Sequence, residues 1–174
     1  QENNGLVVID LETKDIVNAF SAGNAQVPDI DDDNDGIFDF TVDIDVPREP
    51  DSVQWVGDNL VATANEGDWK GGSRGWSVFD VTTGAVVWDA GNSFEQLAVE
   101  HGLFNNDRAD NKGAEPEGLA FEVMGGTPYA FVGSERSNFV AVYDMTDPTA
   151  PVVSQVLPTT NGPEGLLPVP SRDL

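Results

Sequence analysis

The chain has 174 residues, is 39% hydrophobic, and holds no apolar run near the roughly 18 residues that a membrane-spanning helix needs. Eight basic residues against 31 acidic ones leave a formal net charge of −23, which repels nucleic acid and anionic lipid at long range and favours cations. With no cysteine, a disulfide framework, thiolate chemistry and cysteine-ligated zinc are excluded.

In chain order, residues 1–20 read as two strands, LVVIDL and a partner after the Glu12-Thr13-Lys14 turn. The next stretch, about 24–46, is an insertion holding VPDIDDDNDGIFDFTVDIDV. Within it Asp31, Asp33 and Asp35 alternate, Gly36 follows, and Asp39 comes three residues later. Alternating carboxylates can fold around one hard cation, Gly permits the sharp turn, and the Ile37 carbonyl can add a ligand, so this spacing predicts a calcium loop. Val42 stands where an EF-hand would place its last Glu, and FTVDIDV alternates like a strand, so the loop is a standalone one, with Asp43 or Asp45 as further ligands. The plainer reading is a solvated acidic loop in an acidic protein.

Residues 50–90 form a unit that opens at Pro50 and ends its third strand at Asp80. A second insertion, about 91–113, contains a short helix over Ser93 to His101, followed by a polar loop. His101, the only histidine, reads as a helix-terminal surface residue. Residues 115–158 then repeat the unit, with strands at Leu119–Val123, Tyr129–Gly133, Phe139–Met145 and Val152–Leu157 separated by Gly125-Gly126-Thr127-Pro128 and Asp147-Pro148 turns. Pro116 opens it as Pro50 does, Asp144 ends its third strand as Asp80 does, and Asp10 holds that place in residues 1–20. Pro163 opens a fourth unit over residues 163–174.

Four antiparallel strands make one propeller blade, so the fold expected is all-β, a β-propeller segment of about two complete blades and two partial ones. Propellers close with about four to eight blades, which predicts a fragment of a larger ring whose partners are its remaining blades or other copies of the chain.

Each unit puts a carboxylate directly after its opening proline, at Asp51, Glu117 and Glu164. Equivalent blade positions lie at one height around the channel, so these three should converge at its mouth, where mutual repulsion invites a metal ion. A second recurring set is Glu2-Asn3, Asn65-Glu66 and Ser134-Glu135-Arg136. The plainer reading of Pro-Glu-Gly is a turn that starts strands, with Glu merely exposed.

The segments QENNGLVVIDLET, LVATANEGD, DNKGAEPEGLAF, YAFVGSER and GPEGL resemble the secreted propellers of the choice-of-anchor I family, which are related to phytase-like esterase propellers. The resemblance implies a roughly seven-bladed ring, a secreted or cell-envelope location, and calcium or another divalent ion near the channel. One departure is that Trp69-Lys70-Gly71-Gly72-Ser73-Arg74 runs quickly into the third strand, where family members carry a longer, Arg-containing segment.

Two function classes follow. As a metal-dependent phosphoesterase, the protein would hold ions on Asp51, Glu117 and Glu164 while Lys70, Arg74, Lys112 or Arg136 neutralises the substrate phosphate. As a binding module, it would be a calcium-stabilised propeller presenting loops to a surface or matrix partner, and the fold supports either.

Overall fold

The computed structural model describes residues 4–31, 33, 35–66, 73–109 and 111–170. They form four antiparallel sheets. Strands β1 (Gly5–Ile9) and β2 (Ile16–Ser21) pair as a hairpin, as do β3 (Asn24–Pro28) and β4 (Asp43–Pro47). Strands β5 (Ser52–Trp55), β6 (Leu60–Ala64), β7 (Trp76–Asp80) and β8 (Val86–Asp89) make a four-stranded meander in chain order. A second such meander contains β9 (Pro116–Met124), β10 (Thr127–Ser134), β11 (Phe139–Asp144) and β12 (Val152–Pro158). The helix α1 (Ser93–Glu100) and a 3-10 turn at Asn106–Arg108 lie between the two meanders.

Local chemistry explains the repeat. Asp10 accepts from the amides of Glu12 and Thr13, and Asp80 accepts from those of Thr82 and Thr83. Asp144 accepts from the amide and hydroxyl of Thr146. Each aspartate thereby builds a turn from its own side chain. These bonds favour the charged form, led by the amides of Thr13 and Thr83 and by the Thr146 hydroxyl, so all three carboxyls titrate below their usual range. The first insertion differs from a bare loop with a following strand. Its ends pair, Asn24 with Pro47 through Pro28 with Asp43, and the aspartate-rich residues form the tip of that hairpin.

Side-chain alternation assigns the sheet faces. Val61 and Phe79, cross-strand partners, pack with Val81 against Leu6, Val8 and Phe20 of the β1–β2 hairpin. Their neighbours Ala62, Ala64, Trp76 and Val78 face the other way, onto Leu119, Ala130, Val132, Phe139, Ala141 and Tyr143 of the second meander. The sheets are therefore layered in chain order, with β5 of one meander beside β9 of the next. Helix α1 closes the same core through Phe94 and Ala98, and the Phe94 ring lies 5.0 Å from that of Phe139.

Candidate functional site

Three prolines open equivalent segments, and the residue before each is left-handed: φ is 41° at Glu49, 47° at Glu115 and 64° at Gly162. A residue preceding proline ordinarily prefers extended backbone, and a non-glycine residue with positive φ is strained. The strain persists at Glu49 and Glu115, both buried, where surrounding contacts hold it.

Asp51, Glu117 and Glu164, which follow those prolines, line one cavity of ≈ 350 Å³ together with the backbone at Gly118 and Gly165. Contact there is close, because a Cβ at Gly118 would lie 2.1 Å from the Glu164 carbonyl oxygen. Glycine is the residue that lets the 163–166 segment lie on β9. Glu66, just past β6, brings a carboxylate oxygen within 4.8 Å of those of Asp51 and Glu117. A second group, Glu66, Glu115 and Glu135, meets the same distance and shares Glu66 with the first.

Burial first, and then the charges of Glu135, Glu66, Glu164 and Asp51, push the Glu117 carboxyl up to about 7. Its Oε2 is buried and accepts no hydrogen bond among the described residues. Glu135 is also raised, by burial foremost, against the lowering effect of Arg136. A divalent cation would relieve this repulsion, and oxygen donors on three chain segments suit a hard ion.

The cations beside this group are already engaged. Glu115 is fully buried and forms ion pairs with Arg108 at 2.5 Å and Arg136 at 2.5 Å. Lys112 lies 2.8 Å from Glu66 and 3.9 Å from Glu115, and Arg136 also contacts Glu135 at 2.6 Å. Arg74 is elsewhere and buried; its guanidinium meets Asp29 at 3.0 Å and donates to the Ala109 carbonyl at 2.8 Å. Lys70 lies outside the described residues, as do Glu2 and Asn3 of the second recurring set.

In the first insertion Asp31, Asp33 and Asp35 bring carboxylate oxygens within 4.8 Å of one another. Asp31 is 1% exposed, and its two oxygens accept from the amides of Asp35 at 3.0 Å and Gly36 at 2.8 Å. Gly36 has φ 85°, the turn expected of it, while the Ile37 amide donates to Asp35. Asp39 does not join that group and accepts from the Thr41 hydroxyl instead. Asp43 and Asp45 belong to β4, where Asp45 accepts from Asn24. His101 caps the end of α1, exposed, with Nδ1 2.9 Å from the Leu97 carbonyl oxygen.

Sequence reasoning left Glu115 without a role and gave Glu66 and Glu135 none beyond recurrence. A signal for Glu115 was present, since Glu-Pro-Asp at 49–51 and Glu-Pro-Glu at 115–117 share the glutamate before the proline as well as a carboxylate after it.

Residues 69–148 match the Choice-of-anchor I domain. The match supports that family and runs from the segment before β7 to just beyond β11, taking in Glu115, Glu117 and Glu135. The description implies a protein anchored at the cell surface or secreted. No curated protein and no solved structure matches the chain. No helix among the described residues is long and apolar enough to cross a membrane.

Proposed function

We propose that the chain is a segment of a secreted or surface-attached β-propeller, two complete blades and parts of two more, whose acidic mouth binds a divalent cation, calcium foremost. The observation that carries this reading is the convergence of Asp51, Glu117 and Glu164 on one cavity from equivalent places in three repeats. Sheets layered face to face in chain order, first strand beside first strand, support the blade assignment. The Asp31 loop is a second, structural calcium site that steadies the β3–β4 hairpin.

Calcium binding is tested by calorimetric titration. Asp31→Asn and Asp33→Asn together remove one site, Glu117→Gln weakens the other, and heat unchanged by both variants rejects both sites. The acidic mouth responds to pH. Glu117 has a folded pKa above its ordinary value, so the stability tied to its proton is complete below about 4.5 and is lost as pH rises to about 7. In EDTA the melting temperature should therefore fall between pH 5 and pH 8, and the calcium-induced gain should be larger at pH 8. A gain equal at both pH values counts against the mouth.

The chemistry such a centre supplies to a full ring is metal-activated water for phosphoric-ester hydrolysis. Asp51, Glu117 and Glu164 would hold the ion, with Lys112 and Arg136 exchanging carboxylate partners for substrate phosphate. p-Nitrophenyl phosphate turnover by the protein with its ring complete should vanish in Glu117→Gln/Glu164→Gln, and full activity in that variant rejects the assignment. The ion pairs that occupy Arg74, Lys112 and Arg136 favour a second reading, a calcium-stabilised binding propeller without catalysis.

A further inference from the structure

The two insertions meet at a buried charge cluster separate from the acidic mouth. Asp29 follows β3, Arg74 precedes β7, and Glu95 lies in the first turn of α1. Their exposures are 5%, 2% and 0%. Arg74 pairs with Asp29, and the Ala114 amide donates to Glu95 Oε1 at 3.1 Å. A Cβ at Gly113 would lie 1.8 Å from Glu95 Oε1 and 3.1 Å from Arg74 Cδ, so both side chains flank the same glycine. Asp29 continues the connection into the aspartate-rich tip, accepting from the Asp31 amide at 3.2 Å. Beside this cluster, the Phe38 ring of the first insertion stands edge-on to Phe104 of the second, with centroids 5.3 Å apart.

The charges in this cluster do not balance. Two carboxyl groups share one guanidinium away from water, and an unmatched buried carboxylate is strongly disfavoured. Asp29 has the ion pair, whereas Glu95 Oε2 is buried with no hydrogen-bond partner among the described residues. Glu95 is therefore the acid that takes up a proton.

We propose that a proton on Glu95 holds the two insertions together and that its loss above neutral pH releases them. Burial pushes the Glu95 carboxyl up to about 7, Arg74 pulls it down and Asp29 raises it; these are the charges that face it among the described residues. Arg108 and Lys112, on the loop that passes Glu95, are committed to Glu115 and Glu66. Because the folded pKa is the higher one, protonation stabilises the closed state fully below about 4.5, and that contribution disappears as pH climbs to about 7. Neither the cluster nor its titration needs a bound cation.

Amide hydrogen exchange at Asp29, Ala109, Gly113 and Ala114, corrected for intrinsic base catalysis, tests this on the chain in EDTA. Exchange at these sites should quicken about tenfold or more from pH 5.5 to pH 8.5 in the wild type. In Glu95→Gln it should stay slow and flat, while Glu117→Gln should keep the wild-type response. A pH-independent wild type, or a Glu95→Gln response equal to it, overturns the proposal. Should Glu95→Gln not fold, Asp29→Asn provides the second test. With Asp29 neutral, Glu95 takes the guanidinium and stays ionised, so the pH response should vanish, and its persistence overturns the proposal.

Discussion

Replacing Trp76 with alanine should lower the unfolding free energy by about 3–5 kcal/mol, the range for a large aromatic lost from a packed core. Trp76 is fully buried opposite Ala64, with its ring 4.4 Å from Trp88 in its own meander and 4.7 Å from Tyr143 in the next. One side chain thus joins two sheets, and small alanines across from it leave nothing to refill the space. Urea unfolding should show a lower midpoint at an unchanged slope. Trp55, 55% exposed, is the control, and its alanine variant should stay within about 0.5 kcal/mol of wild type. A Trp76→Ala loss under 1 kcal/mol would mean that the two meanders do not share this core.

Glu115→Ala should cost about 3 kcal/mol, because removing one member of a buried ion cluster strands the others. Arg108 and Arg136 would lose their shared carboxylate, while the Lys112 pair with Glu66 would remain. Partial exposure of both arginines lets water recover some of the loss, which places the value at the low end for such pairs. Glu115→Gly separates charge from backbone strain. It loses the same ion pairs but relaxes a φ of 47°, so it should be more stable than the alanine variant by about 1 kcal/mol. Equal stabilities for alanine and glycine would show that the left-handed conformation is not held at this position.

Much of the candidate site was legible before any coordinates. Asp51, Glu117 and Glu164 could be aligned from their prolines alone, because a repeated unit carries equivalent residues to equivalent places. The loop spacing likewise anticipated that Asp31, Asp33 and Asp35 would gather and that Gly36 would turn, since those constraints act within a few residues. Asp39 stands outside that group and accepts from the Thr41 hydroxyl. Arg74 and Lys112 looked like free cations in the sequence, yet each is matched to a carboxylate far away in the chain.

The sequence by itself determined the strands of the repeated units, their turns and the period of the repeat, because alternation, Asp-Thr turns, glycines and prolines act on their immediate neighbours. Only the tertiary structure decided that the first insertion closes as a β3–β4 hairpin, that Glu115 collects Arg108 and Arg136, and that Glu95 is buried beside an already paired Arg74. Those outcomes depend on burial and on which charges meet across long stretches of chain. Neither is encoded in the spacing of residues, since the cost of an unmatched charge arises only once packing has removed the water around it.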